Sequence, residues 1–136
     1  MNITVSQQQG REQVSVIHLD GRLDSSNYQN LIDEAKKLHA AGARHLILDM
    51  TNLTYISSAG LVAVQSTAKL FRGESLPNVE AGWNAIRSLD KERAGGTQKN
   101  VKLLNLTPKV QSVLDTVGFA EFFEIYTDLA GAVASF

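Results

Sequence analysis

The sequence has no cysteine and only two prolines among its 136 residues. The lack of cysteine excludes disulfides, thiolate metal sites and cysteine nucleophiles. No apolar run approaches the ~18 residues that a membrane span requires. The N-terminal "MNITVSQQQG" has no basic region followed by an apolar core, as a signal peptide would. We therefore expect a cytoplasmic protein without a membrane partner.

Neither sign of charge dominates the composition, since the formal net charge is -1 and the lysines and arginines are scattered. A nucleic-acid-binding protein usually carries a basic stripe, so we expect no nucleic-acid partner. Hydrophobic residues make up 43% of the chain and charged residues 20%, which is typical of a globular domain. We predict a single domain over residues 1–136, long enough to bury its own core.

Sequence signatures of catalysis and cofactor binding are missing. Ile56 stands where the first glycine of a nucleophile elbow around Ser58 would be. No H-E-x-x-H, P-loop or G-x-G-x-x-G motif occurs. The three histidines lie before that serine on predicted strands or a helix, so we expect no nucleophile–base pair. We therefore predict a protein that is not an enzyme, with no cofactor and no metal.

Strand-like and helix-like segments alternate along the chain, which predicts a layered α/β domain. The predicted order is β-β-α-β-α-(insert)-β-α-β-α. Gly42 and Gly118 are expected to end helices, and Thr127 or Asp128 to begin the last one. The predicted segments are "NITVSQ", "QVSVIHL", "NYQNLIDEAKKLHAAGA", "RHLILDM", the loop "TNLTYIS", "SAGLVAVQSTAKLF", "VKLLNL", "TPKVQSVLDTVGF", "EFFEIY" and "TDLAGAVASF".

Residues 72–100 are rich in glycine, polar and charged residues and are long for a connection in a compact domain. One interpretation is a surface loop. The other is an added partner-binding element, in which Trp83, Ile86 and Leu89 lie on one side of a short helix. Tryptophan is over-represented in binding hot spots, so Trp83 would then be the anchor.

Polar side chains follow three predicted elements at one edge of the sheet. Asp24 follows the second strand, Asp49 ends the third, and Ser57 and Ser58 begin the second helix. The carboxyl ends of strands are the usual functional edge of an open α/β sheet. The structural alternative is that these residues cap helices or close turns. An aspartyl-phosphate receiver at Asp49 is excluded, because the first strand is not followed by an acidic pair.

The two serines interrupt the apolar run "LTYISSAGLVAV". Serine is favoured at helix N-caps, which is one explanation. An exposed hydroxyl at a helix N-terminus is the other, because the backbone N–H groups there favour a phosphate.

Three segments together resemble the STAS domain, the sulphate-transporter and anti-sigma-factor-antagonist family. They are "GRLDSSN", "HLILDMTNLTYISSAGLVAV" and "VKLLNLTPKVQSVLDTVGF". The most specific block runs from Asp49 to Leu61, D-x-(T/S)-x-L-x-x-(I/M)-(D/S)-S-(S/T/A)-G-L, and the resemblance covers residues 1–71 and 101–136. It implies a small mixed sheet with helices packed mainly on one side.

The resemblance also implies an anti-sigma factor antagonist. In stand-alone members a partner anti-sigma kinase phosphorylates the serine that corresponds to Ser58, the unphosphorylated form binds the kinase, and a PP2C-type phosphatase resets the switch. Ser57 is the alternative acceptor. The implied partner-binding residues are Asp24, Ser57, Ser58, Gly60 and Asp49.

The sequence departs from the family pattern in two places. Many regulated members carry Asp where Ser57 stands. Residues 72–100 are also much longer than the usual connection between the second helix and the following strand. Two other functions therefore stay open: an adaptor or scaffold module of a multi-protein complex without phosphorylation, and a small-ligand-binding domain with its crevice near Asp24 and Ser58.

Overall fold

A computed structural model of the chain describes residues 1–72 and 98–136. These residues form a layered α/β structure in which β-strands and α-helices alternate after an initial hairpin. The elements are β1 Asn2–Gln9, β2 Gln13–Leu23, α1 Tyr28–Ala40, β3 Leu46–Ile56, α2 Ser58–Phe71, β4 Gln98–Leu104, α3 Pro108–Val117, α4 Phe119–Phe122, β5 Phe123–Tyr126 and α5 Leu129–Ala134.

The strands form a five-stranded mixed sheet in the order β1-β2-β3-β4-β5. The β1–β2 hairpin is antiparallel, and every later pairing is parallel. Parallel neighbours require crossover connections, which the helices supply. The predicted mixed α/β sheet is therefore confirmed.

The core lies mainly on one face of the sheet. The larger apolar cluster packs α1, α2 and α3 against the strands, with Leu31, Leu61, Val110 and Leu48 among its members. A smaller cluster on the opposite face includes Val133 of α5. The prediction of helices mainly on one side is confirmed, with α5 as the helix that covers part of the other face.

Several predicted boundaries are confirmed because their local chemistry is specific. The predicted second helix has the same bounds as α2. Gly118 ends α3 in the left-handed conformation, with φ 82°, which glycine adopts without steric cost. Between the two predicted caps of the last helix, the structure selects Asp128, whose side chain accepts a hydrogen bond of 2.9 Å from the N–H of Gly131.

The predicted ends of β2 and β3 are wrong. The segment "TNLTYIS" was expected to be a loop, but β3 continues through it to Ile56, and β2 continues to Leu23. Irregularities in pairing lie between His18 and Asp20 and between Gly21 and Arg22. Such bulges shift the side-chain alternation by one residue, so the period-two pattern that indicates a strand is lost there.

The end of the chain differs in one further respect. The segment "EFFEIY" was expected to be extended throughout, but the strand begins only at Phe123, after the short helix α4. The predicted helix around Trp83, and most of the 72–100 segment, lie outside the described residues.

Candidate partner-binding site

The C-terminal ends of β2 and β3 meet at one edge of the sheet. Leu23 and Ile56, the last residues of the two strands, are partners in the parallel register. The backbone N–H of Ser57 donates a hydrogen bond of 2.9 Å to the carbonyl oxygen of Leu23. Asp24 and Ser57 therefore follow two strand ends that are bonded to each other, as the sequence pattern predicts.

The two adjacent serines occupy different positions. Ser57 is the N-cap of α2, with an extended backbone, and its hydroxyl oxygen accepts a hydrogen bond of 3.3 Å from the N–H of Gly60. Ser58 is the first residue of α2 and is exposed. Within residues 1–72 and 98–136 its hydroxyl has no hydrogen-bond partner. The capping function therefore belongs to Ser57, and the hydroxyl of Ser58 is available for chemistry.

Gly60 allows the first turn of α2 to approach the strand ends. A Cβ atom at this position would lie 2.7 Å from Cγ1 of Ile56 and 2.8 Å from the carbonyl oxygen of Leu23. Real side chains do not approach backbone oxygens so closely, so only glycine fits without a shift of the backbone. Gly60 thus holds Ser57 and Ser58 against the end of β2.

Asp24 organises the turn between β2 and α1. Its carboxylate accepts hydrogen bonds from the N–H and the hydroxyl of Ser26, at 3.0 and 2.6 Å. These bonds hold the pKa of Asp24 below its ordinary value of 3.8, and the charge of Arg22 lowers it further. The helix-cap interpretation of Asp24 is wrong in detail, because the N-cap position is Asn27. Asp24 instead forms an Asx-type turn with an ionised carboxylate.

Asp49 does not lie at this edge. It is seven residues before the end of β3, which separates it from Ile56 by about 23 Å along an extended strand. The prediction that Asp49 ends its strand is therefore wrong. Its expected local bonds are present, since its carboxylate accepts from both the N–H and the hydroxyl of Thr51.

Asp49 instead belongs to a polar chain across three strands, which sequence reasoning missed. Its carboxylate lies 2.7 Å from Nδ1 of His18, and Nε2 of the same ring lies 2.8 Å from the hydroxyl of Ser6. Because an ionised carboxylate only accepts hydrogen bonds, Nδ1 donates to Asp49. In the neutral ring, Nε2 then accepts from Ser6.

This order of bonds is that of a serine with its general base and orienting carboxylate. No sequence motif indicated this contact between a serine and a histidine. His18 is 12 positions from Ser6 and 31 positions from Asp49 in the sequence. Only the register of the sheet brings the three residues together. A cleft of about 410 Å³ beside His18 and Asp49 is also lined by Asp20 and Asn52.

A second cluster that sequence reasoning missed lies at the strand ends. The guanidinium carbon of Arg22 lies 4.4 Å from the centre of the Tyr55 ring, and Nζ of Lys109 lies 5.6 Å from it. Arg22 and Tyr55 are partners in the β2–β3 register, directly before the Leu23–Ile56 pair. The bulge beside Arg22 hides this pairing from the sequence pattern.

Residues 1–72 and 98–136 contain no group of three or more His, Asp or Glu side chains placed to hold a metal ion. Over the same ranges, no helix is long and apolar enough to cross a membrane.

Comparison with known proteins gives the family. The family model for the STAS domain matches residues 6–76, just over half of the 136 residues. The chain therefore belongs to the STAS domain family.

One relative in sequence is a proposed anti-sigma factor antagonist. The chain is 29% identical over 118 residues to BtrV of Bordetella bronchiseptica, a proposed anti-sigma factor antagonist, and the match covers 87% of this chain and 82% of BtrV.

Solved structures share the fold at lower identity. An anti-sigma factor antagonist from Mycobacterium paratuberculosis is 16% identical with a TM-score of 0.66, and the match covers 98% of this chain and 93% of that one. A proposed anti-sigma factor antagonist from Thermotoga maritima is also 16% identical, with a TM-score of 0.61 and coverage of 94% and 90%. At this identity the likeness shows the fold alone.

Proposed function

We propose that this protein is a cytoplasmic anti-sigma factor antagonist that is switched by phosphorylation of Ser58. In its unphosphorylated form it binds an anti-sigma kinase, which then releases a sigma factor. Phosphorylation of Ser58 by that kinase ends the binding, and a PP2C-type phosphatase restores it. The relationship to BtrV supports the assignment of class.

The observation that carries the proposal is the difference in hydrogen bonding between the hydroxyls of Ser57 and Ser58. Ser57 uses its hydroxyl to cap α2, whereas the Ser58 hydroxyl is exposed and unbonded in the described part of the chain. A kinase can modify Ser58 without breaking the cap. This favours Ser58 over Ser57 as the acceptor.

The electrostatics of the site favour a switch that acts at the interface. A phosphate adds about −1.5 to −2 charges at neutral pH. At the first position of α2 the helix dipole favours negative charge, so the domain tolerates the modification. The same charge opposes a partner that must approach the surface closely. We assign this surface to Asp24, Ser57 and Ser58, with the buried Gly60 supporting it from beneath, and we leave out Asp49 because of its distance along β3.

We further propose that the protein is not an enzyme, despite the Ser6–His18–Asp49 chain. A hydrolase also needs donors that stabilise the oxyanion, and in α/β-hydrolases these lie at a sharp strand-to-helix turn. Ser6 instead lies within the regularly paired strand β1. A fluorophosphonate probe is therefore expected not to label Ser6. Labelling that disappears in His18→Gln would contradict this part of the proposal.

Binding to the kinase tests the proposed function directly. The purified chain is titrated into each histidine-kinase-like anti-sigma ATPase of its source genome, with and without phosphate on Ser58. The proposal expects one kinase to bind the unmodified chain and to lose most of its affinity for the phosphorylated chain. Equal binding of both forms would favour an adaptor module instead.

A further inference from the structure

The C-terminal ends of β2 and β3, which we call the docking edge, carry a basic and aromatic patch formed by Arg22, Tyr55 and Lys109. Arg22 and Lys109 are exposed, and Tyr55 is half-buried. The two cations lie 4.4 and 5.6 Å from the Tyr55 ring centre, measured from the guanidinium carbon and Nζ. Such cation–π contacts hold the charged groups over the ring at low cost.

The patch is held by the same strand ends as the serines. Arg22 directly precedes Leu23, whose carbonyl oxygen accepts the N–H of Ser57. On the other side, the hydroxyl of Thr107 donates a hydrogen bond of 2.8 Å to the carbonyl oxygen of Leu53. This bond fixes the start of α3, and therefore the base of Lys109, beside β3. The patch and Ser58 therefore both lie at the C-terminal ends of β2 and β3.

Within the described residues, the two positive charges of this patch form no ion pairs. Neither cation has a carboxylate within ion-pair distance among residues 1–72 and 98–136. The charge of Arg22 reaches Asp24, where it adds to the stronger effect of the Ser26 hydrogen bonds in lowering the pKa of that carboxyl. Two exposed cations around one aromatic ring are therefore available to an outside partner.

From this arrangement we infer that the basic-aromatic patch receives an acidic segment of the anti-sigma kinase. The inference rests on the proposed function and adds the chemistry of the partner's docking surface. Arginine and tyrosine, together with tryptophan, are enriched among the residues that carry most of the binding energy at interfaces. Carboxylates of the partner would complement Arg22 and Lys109, and the Tyr55 ring would supply the apolar contact.

An acidic partner also explains why phosphorylation of Ser58 would weaken binding. Before phosphorylation, Arg22 and Lys109 attract the partner's carboxylates. Afterwards the added phosphate on the same edge repels those carboxylates and attracts the two cations to itself. Both effects act in the same direction, so one modification cancels most of the electrostatic attraction between the patch and the partner.

Charge reversal tests this inference. The variants Arg22→Glu and Lys109→Glu, singly and together, are compared with Lys36→Glu, which makes the same change at an exposed position of α1. Dissociation constants are measured for the kinase that binds the unsubstituted chain, at low and high salt, and each variant's melting temperature reports its fold.

We expect each patch variant to weaken binding roughly threefold or more, and the double variant roughly tenfold, mainly through slower association. The salt dependence of binding should become shallower, and Lys36→Glu should bind as the unsubstituted chain does. If the folded patch variants bind as tightly as Lys36→Glu, or more tightly, the inference is wrong while the proposed function stands. If the unsubstituted chain binds no kinase, the proposed function fails and this inference fails with it.

Discussion

The backbone N–H of Ser57 donates a hydrogen bond of 2.9 Å to the carbonyl oxygen of Leu23. This bond joins the cap of α2 to the end of β2 and brings Ser58 to the same edge as Asp24. The hydroxyl of Ser57 is used in the cap, whereas that of Ser58 has no hydrogen-bond partner within the described residues.

Substitution of the two serines by alanine should separate stability from phosphorylation. Ser57→Ala removes the acceptor of the Gly60 N–H and should lower the free energy of unfolding by about 1 kcal/mol. Ser58→Ala removes an exposed, unbonded hydroxyl and should change it by less than about 0.5 kcal/mol. Urea denaturation of both variants measures the difference. A larger loss in Ser58→Ala would mean that Ser58, not Ser57, caps the helix.

Ser58→Asp should mimic the charge of the phosphate without unfolding the protein. The carboxylate lies in the first turn of α2, where negative charge is stabilising by about 0.3–1 kcal/mol. The melting temperature should therefore stay the same or rise slightly, while the affinity for the kinase falls. A marked drop in melting temperature would show that the switch acts through the fold, contrary to this account.

Gly60→Ala should destabilise the protein and weaken partner binding together. The new methyl group would lie 2.7 Å from Cγ1 of Ile56 and 2.8 Å from the Leu23 carbonyl oxygen. Relief of this overlap requires α2 to move away from the strand ends, at a cost of about 1–3 kcal/mol. Thermal unfolding and kinase titration measure the two effects. Unchanged values of both would contradict the close packing described for this turn.

Asp49 should contribute to stability in a pH-dependent way. Burial raises the pKa of its carboxyl, but hydrogen bonds from Thr51 and His18 outweigh that effect, so the pKa lies below its ordinary value of 3.8. A carboxyl whose pKa is lowered in the folded state stabilises that state above its unfolded pKa. This stabilisation is lost as the pH falls through the folded pKa.

The variant Asp49→Asn isolates this contribution. It should be less stable than the unsubstituted chain at neutral pH, and its melting temperature should fall less between about pH 5 and pH 3. Asp33→Asn, which changes an exposed carboxyl of α1, serves as the control and should follow the unsubstituted chain. Parallel acid transitions for Asp49→Asn and the unsubstituted chain would show that the His18–Asp49 contact contributes little.

The sequence allowed the local elements to be predicted where side-chain chemistry alone determines them. The bounds of α2 follow from Ser57 as cap and from its apolar spacing, and Gly118 marks the end of α3 because of its left-handed backbone. The continuous apolarity of Leu46, Ile47 and Leu48 correctly indicated a central strand, since all three are fully buried.

Features that depend on strand register were not predictable in this way. The bulges in β2 conceal its last residues and the pairing of Arg22 with Tyr55. The contacts of His18 with Ser6 and Asp49 cross three strands whose alignment no local pattern contains. For the same reason Asp49 was expected at the docking edge, although β3 continues for seven residues beyond it.

We propose that Ser58, and not Ser57, accepts a phosphate from an anti-sigma kinase. The most direct test incubates the protein, Ser57→Ala and Ser58→Ala with ATP, Mg²⁺ and the anti-sigma kinases of the source genome, and locates the phosphate by mass spectrometry. The account predicts phosphate on Ser58 in the first two proteins and none in Ser58→Ala. Phosphate on Ser57, or no phosphate on the folded protein with any of these kinases, would contradict it.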